Sequence, residues 1–361
     1  MSGEYHPKLL RIVDANINRA AEGLRLLEDV ARLYFDDASL SQPFKELRHK
    51  LAQPPPEVQL QLIRARDAAS DVGGAQAVET DERDNLQAVV MANSGRIQES
   101  LRTLEEMAKM AEVKPLMGWF DFKQARFTSY DLEQKLLAKF NHRQRLERLR
   151  GLYVIVGGQA MAGREVEIAR DAIKGGAKVI QLRDKQRSKR ELLSLARELA
   201  RLCSLTKTLL IINDHLDIAL AVGADGLHLG QDDLPMAVAR QLMPPEMILG
   251  WSTHSLGEAR LAAQHGADYI AVGSIFPSPT KPGAKPVGTE LLKQVRQAVS
   301  VPLVAIGGIN ADNVAQVIEA GAQAAAVISA VAGADDAESA ARRICQQIES
   351  AGQKPGDPTS A

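Results

Sequence analysis

The sequence predicts an α/β protein, a (β/α)8 TIM barrel preceded by an all-α N-terminal domain with an internal helical repeat. From Gly151 onward, eight short β-branched apolar runs alternate with Ala-, Glu- and Arg-rich stretches of helical spacing. Near-continuous apolar strands separated by helices imply a parallel sheet buried on both faces. Before that point the chain is rich in Glu, Arg, Leu and Gln at helical spacing, has no alternating strand, and repeats itself. A length of 361 residues accommodates both parts. An open doubly wound sheet is the alternative, but eight regularly spaced units favour closure.

The helical domain is expected over residues 1–128, a linker helix over 129–150, the barrel over 151–350, and a disordered tail of small polar residues over 351–361. The repeat superposes NINRAAEGLRLLEDVA (16–31) on NSGRIQESLRTLEEMA (93–108), pairing Arg19 with Arg96, Glu22 with Glu99, Arg25 with Arg102 and Glu28 with Glu105. Asn16 and Asn93 occupy the position expected of an N-cap, after which Arg and Glu alternate at three-residue steps beside a Leu/Ala stripe. Such stripes suit two exposed helices laced by ion pairs, a dimerisation surface, or a polar site where the two stripes face each other. The triple proline at 54–56 marks a loop, and RARDAASDVGG (64–74) ends in a turn or ligand loop.

In the second half the runs are GLYVIV (151–156), KVIQLRD (178–184), LLIIND (209–214), GLHLG (226–230), MILGWST (247–253), YIAVGSIF (269–276), PLVAIGG (302–308) and AAAVIS (324–329). The gap after LLIIND is short and requires a compact connection. A parallel barrel carries its active site at the C-terminal ends of its strands, so the polar residues there are the candidates. Alternation places Gln181, Arg183 and Lys185 on one side of the second strand end. Two cations pointing inward are costly unless an anion occupies the mouth. Asp214 and Asp233, at the next strand ends, suit a hard divalent ion such as Mg2+. Asp232 is expected to point elsewhere or to cap the following helix. His228, within an apolar strand, reads as a packed barrel residue.

The fifth strand ends in Ser252, Thr253 and His254, whose small hydroxyls can donate to phosphate oxygens. The sixth leads into the long loop Phe276–Gly283, which carries Ser278, Pro279, Thr280 and Lys281 and suits a lid. Gly308 and Ser329, after the seventh and eighth strands, lie where such barrels bind phosphate through backbone N–H groups. The mouth thus offers a site for a Mg2+-bound pyrophosphate and another for a monophosphate. That pair suits a transferase joining a pyrophosphorylated group to a phosphorylated acceptor. No Ser-His-Asp or Cys-His arrangement and no dinucleotide fingerprint emerges.

Composition narrows the partners. Lys and Arg total 44 against 45 Asp and Glu, a net charge of -1, so no global excess holds nucleic acid or an anionic membrane. Two Cys exclude a disulfide scaffold, and Cys203 and Cys345 read as buried, inert thiols. The first residues lack a secretory h-region and no apolar run reaches membrane-spanning length, which predicts a cytoplasmic protein acting on small molecules.

QLRDK, IIND, GLHLGQDD, STHS, FPSPTK, IGGIN and VIS, in that order, closely resemble thiamine phosphate synthase. The resemblance covers residues 151–345. It implies that Gln181, Arg183, Lys185, Asn213, Ser252 and Lys281 contact hydroxymethylpyrimidine diphosphate, with Arg183, Lys185 and Lys281 as the catalytic cations. It likewise implies that Asp214 and Asp233 hold one Mg2+, and that Ser278, Pro279, Thr280, Gly308, Ile328 and Ser329 contact the thiazole phosphate. Ser278 stands where the family often has Thr. The implied reaction is displacement of pyrophosphate by the thiazole nitrogen through a pyrimidine carbocation. The helical half resembles an extension fused to this synthase in some bacteria and associated with pyrimidine phosphorylation, while a homo-oligomer through it stays open. A thiazole tautomerase-like barrel, which would not need the cations and carboxylates together, and a non-catalytic phosphate-metabolite sensor are the competing readings.

Overall fold

The computed structural model describes residues 6–67, 82–158, 161–278, 283 and 285–352. The chain divides into two compact units, Met1–Phe140 and Asn141–Ala361.

The described part of the first unit is helical throughout. Helix α1 (Pro7–Asp29) continues into a π-helical turn at Val30–Tyr34, followed by α2 (Ala38–Leu51), α3 (Pro56–Arg64), α4 (Leu86–Met107), α5 (Lys114–Met117) and the start of α6 (Phe122–Arg148). Proline opens α1 and α3 at positions where its missing N–H costs nothing. Side chains cap three others: Asp37 accepts from Leu40 N, Asn85 from Ala88 N, and Asp121 from Gln124 N. The Asp121 cap starts α6 at Phe122, earlier than the linker helix expected from 129. The division between the units falls inside this helix. Of the tail expected from 351, the residues beyond Gly352 lie outside the described ones.

The repeat corresponds to α1 and α4, but its asparagines are not N-caps. Both helices begin upstream, and Asn16 and Asn93 lie mid-helix, each donating Nδ2 to the carbonyl four residues back, Ile12 O and Val89 O, at 2.8 Å. A short amide side chain satisfies itself this way when the backbone ahead of it is already helical. The apolar stripes pack as expected, burying Leu24, Leu27, Leu101 and Leu104. Gly23 lets the two helices approach: a Cβ there would lie 2.7 Å from Ile97 Cγ1 and 3.3 Å from Asn93 O. Among the described residues no ion pair joins the two charged stripes. Arg25 pairs with Asp29, buried Glu28 takes Arg48 from α2, and Glu105 takes Arg102 and, from α6, Arg126. Arg66, where the 64–74 segment begins, grips buried Asp14 with two hydrogen bonds of 2.8 and 2.9 Å.

The second unit is a closed barrel of eight parallel strands in sequence order, β1 (Gly151–Val156), β2 (Val179–Leu182), β3 (Leu209–Asn213), β4 (Gly226–Leu229), β5 (Ile248–Thr253), β6 (Tyr269–Gly273), β7 (Leu303–Ile306) and β8 (Ala324–Val327). Closure, through the β1–β8 register Gly151↔Ala324 to Val154↔Val327, rules out the open sheet. Helices α7 (Glu165–Lys174), α8 (Lys189–Thr206), α9 (Leu216–Val222), α10 (Met236–Leu242), α11 (Leu256–Gln264), α12 (Gly288–Ala298), α13 (Val314–Glu319) and α15 (Ala337–Gly352) follow the strands, with a short turn of helix, α14 (Ser329–Ala332), after β8. The seven-residue α9 is the compact connection after β3.

Alternation divides the strand residues. Leu152, Val154, Ile180, Leu182, Leu210, Ile212, Leu227 and Leu249 pack beneath the helices. Tyr153, Ile155, Val179, Leu209, Ile211, Ile248, Tyr269, Ala271, Val304, Ala324 and Ala326 fill the interior. At the N-terminal end, polar side chains preceding β4, β6 and β8 finish the sheet's hydrogen bonding. Asp225 accepts from Leu210 N, Asp268 from Leu249 N, and the Gln323 carboxamide oxygen from Leu303 N, at 2.7–2.9 Å. Burial pushes the Cys203 thiol up to about 12 and that of Cys345 up to about 11, so neither is reactive at neutral pH. No helix among the described residues is long and apolar enough to cross a membrane.

Gly23→Val should force α1 from α4 and cost about 1–3 kcal/mol, the usual penalty of overpacking. A urea titration followed by helical circular dichroism checks this; an unchanged first unfolding midpoint would show that the close approach is dispensable.

Candidate active site

The barrel's C-terminal rim assembles residues from seven consecutive strands, β2 to β8. Gln181, Asn213, His228 and Ser252 continue the inward-facing alternation of β2 to β5, and the first three are almost fully buried. Beyond Gln181 the strand ends and the chain turns outward. Arg183 and Lys185 are exposed at the mouth, while Asp184 between them is buried. This is the arrangement that the alternation of QLRDK requires.

Asp214 follows β3 in a left-handed conformation with φ of 62°, which turns its carboxylate back over the rim. The Lys185 ammonium lies 3.5 Å from Asp214 Oδ2. Asp233, after β4, accepts a 2.7 Å hydrogen bond from Gly230 N and is close enough to Asp214 for their carboxyls to hydrogen-bond. Burial, and then the neighbouring Asp233 carboxylate, raise the Asp214 carboxyl above the usual range despite Lys185. Burial acts upward on Asp233 too, but Gly230 N–H, the Asp214 carboxyl and Lys185 outweigh it and hold the group low. Two carboxylates held this close, with Lys185 beside them, form a hard-oxygen donor pair that fits Mg2+. That ion takes one or two protein carboxylates and leaves its other positions to water and phosphate oxygens. Among the described residues no group of three or more His, Cys, Asp and Glu is placed to hold a metal. Asp232 is exposed and does not cap α10, because the cap position belongs to Pro235.

Below the rim runs a chain of hydrogen bonds that the sequence did not announce. Tyr153 OH lies 3.1 Å from Tyr269 OH, Tyr269 OH 2.9 Å from His228 Nδ1, and His228 Nε2 2.8 Å from Ser252 Oγ. Burial, and then the Arg183 guanidinium, push the imidazole down to about 4. Burial keeps both phenols protonated. A neutral imidazole has one N–H, so the chain has a direction: one ring nitrogen donates and the other accepts. His228 is therefore the barrel residue expected, and it also orients Ser252. Its neighbour Thr253 is not available to a ligand. It faces outward, and its hydroxyl donates to Ala271 O.

Across the mouth, Pro277, Ser278, Ile306, Gly308, Ile328 and Ser329 help line a cavity of about 290 Å3. Gly308, at φ of 65°, could carry no side chain, since a Cβ would lie 2.3 Å from Pro277 O. Asn313 holds this loop, donating to Gly308 O and accepting from Asn310 N, both at 2.9 Å. Pro279, Thr280 and Lys281 lie outside the described residues.

Residues 152–331 match the family described as thiamine monophosphate synthase, and residues 11–135 match the ThiD2 family. The chain is 40% identical over 345 residues to a thiamine-phosphate synthase of Thermosynechococcus vestitus, covering 94% of this chain and 95% of that protein. It is 40% identical over 342 residues to a thiamine-phosphate synthase of Synechocystis sp., covering 94% and 96%. Among solved structures it resembles a thiamine phosphate pyrophosphorylase from Pyrococcus furiosus, with 40% identity and a TM-score of 0.53, over 58% of this chain and 98% of that one. The two full-length relatives thus share the helical part as well as the barrel.

The depressed His228 pKa has a consequence for stability. Between the ordinary 6.5 and about 4, the unfolded chain binds a proton at this site that the folded chain refuses. Stability therefore falls as pH drops through that window, by up to roughly 3 kcal/mol from this group, and the loss levels off below it. His228→Gln should remove that component. Urea midpoints of both proteins at several pH values from 7 to 4 test it; parallel profiles would contradict the assignment.

Proposed function

The chain belongs to the thiamine monophosphate synthase family and is a transferase of thiamine biosynthesis, and from that premise we propose which residues carry the reaction. Hydroxymethylpyrimidine diphosphate and the thiazole phosphate condense to thiamine phosphate and pyrophosphate. The observation that carries the assignment is the rim cluster, in which Lys185 lies 3.5 Å from an Asp214 that is itself paired with Asp233. Arg183 and Lys185 take the diphosphate, joined by Lys281 from the loop after β6. Gln181 and Asn213 contact the pyrimidine half, with Ser252 held by His228. Asp214 and Asp233 hold Mg2+, which when bound neutralises part of the diphosphate charge. The cavity at Ser278, Gly308, Ile328 and Ser329 takes the thiazole phosphate, and Pro279 and Thr280 are assigned to the same ligand.

In the reaction the bond between the pyrimidine methylene carbon and the diphosphate oxygen breaks, and its electron pair leaves with pyrophosphate. The thiazole nitrogen lone pair then forms the new C–N bond. That nitrogen carries no proton to lose, so the site needs no general base, which agrees with an imidazole held neutral and committed to Ser252. The protein's contribution is to stabilise the departing charge and to hold the acceptor in line, that is, electrostatics and positioning. A cytoplasmic setting follows from the same reading. The tautomerase and sensor readings leave the carboxylate pair and its lysine without a task.

Lys185→Ala should lower kcat by about 10²–10³, as loss of one preorganised charge contact does. Steady-state pyrophosphate release measures it, and unchanged turnover would refute the role. Asp214→Asn should move the Mg2+ dependence of the rate to higher concentration while leaving the KM for the thiazole phosphate in place. An unaltered Mg2+ titration would remove Asp214 from the ligand set.

A further inference from the structure

Asp184 stands between the two cations of the rim and takes no part in the site as assigned above. Its side chain is turned away from the mouth and is 3% exposed. Oδ1 accepts from Gln186 N at 2.9 Å and from Arg187 N at 3.1 Å, closing the turn that carries Lys185. Oδ2 accepts from Gly158 N at 3.1 Å, in the loop that follows β1. The Arg187 guanidinium lies 3.5 Å from Asp184 Oδ2 and is bound on its other side by Glu165, a carboxylate 2% exposed at the start of α7. The two loops also touch through their backbones. Arg183 N donates to Val156 O, and a Cβ on Gly157 would lie 2.4 Å from Arg183 O. Asp184, Arg187 and Glu165 therefore join the β1 loop to the β2 loop just after Arg183.

We propose that this buried Asp184–Arg187–Glu165 network is the positioning device of the diphosphate grip, fixing the backbone from which Arg183 and Lys185 reach the ligand. The inference rests on the assignment of those two cations to the diphosphate. Two buried carboxylates and an arginine are a costly way to join two loops, since apolar packing would serve stability as well. What charged hydrogen bonds add is direction. Three N–H groups converge on one carboxylate and set the course of the chain between residues 183 and 187. Among the described residues the side chains themselves are little restrained: the ion pair of Lys185 is with Asp214, across the rim, and Arg183 has none.

Asp184→Asn is the decisive substitution. Its remaining oxygen can keep the bonds to Gln186 and Arg187, while its NH2 meets the Gly158 N–H donor to donor, so the turn survives and the link between the loops breaks. Binding of inorganic pyrophosphate with Mg2+, followed by calorimetry on the full chain, should weaken about 10–100-fold, the scale on which small misplacements act. The KM for pyrimidine diphosphate should rise in step, and that for thiazole phosphate, bound across the mouth, should not move. Asp184→Glu, which keeps the charge and both acceptors, should recover part of the loss. Arg187→Lys should give a smaller loss of the same kind, and carries the test should Asp184→Asn fail to fold. Wild-type pyrophosphate affinity, equal effects on both substrates, or unfolding of both variants would each overturn the proposal. Lys185→Ala serves as the reference: if it weakens pyrophosphate and Asp184→Asn does not, only the positioning role fails; if it leaves pyrophosphate binding unchanged, the assignment of the cations themselves fails.

Discussion

The pairing of β8 with β1 is the interaction on which the site depends. Residues 181, 213, 228 and 252 are spread over four strands, and 308 and 329 follow two more. Only a closed cylinder turns the period-two alternation of each strand into a common interior and a common rim. Interior positions of the lower layers hold apolar groups such as Val179, Leu209, Ile248 and Ala324. The same alternation carried one or two steps further along each strand delivers Gln181, Asn213, His228 and Ser252. The inward-facing row therefore changes from apolar to polar along a single set of positions, and the point where it changes is the floor of the site.

Charge at that rim is arranged so that each group has a reason to remain where it is. The carboxylates of Asp214 and Asp233 oppose one another, and Lys185 relieves only part of the repulsion. The Mg2+ proposed above would answer the repulsion that remains. The arginine and lysine of β2 stay exposed, available to an anion. Beneath them the polar chain from Tyr153 to Ser252 is kept neutral by burial, so it adds orientation without adding charge. A charged imidazole there would be repelled by the Arg183 guanidinium.

The helical unit uses buried charge differently. The side chains of Asp14, Glu28 and Glu105 are little exposed and each is answered by an arginine from elsewhere in the unit: Arg66, Arg48 and Arg126. A pair whose carboxylate is this little exposed contributes little net stability but penalises any packing that separates it. The two repeated segments share both their Leu stripe, buried in each helix, and their Arg and Glu steps. On the charged side each copy has acquired its own partners.

The strands and their order were legible because each is a short apolar run bounded by turns, and the rim residues were legible because a barrel places its chemistry at strand ends. Arg183, Lys185, Asp214 and Asp233 follow from those two facts alone. Thr253 illustrates what does not follow. It is as polar as Ser252 and one position away, yet its hydroxyl belongs to Ala271, because a one-residue step along a strand crosses from the interior to the helix layer. Asn16 and Asn93 carry a capping signal that is local and ambiguous, and the true caps lie upstream. The chain from Tyr153 through Tyr269 and His228, and the junctions of Asp184 with Gly158 and of Arg187 with Glu165, join residues 22 to 116 positions apart. Local pattern determines which way a side chain faces, since that depends on backbone periodicity. What it meets there is set by the three-dimensional packing of distant segments, and so only the tertiary structure decided it.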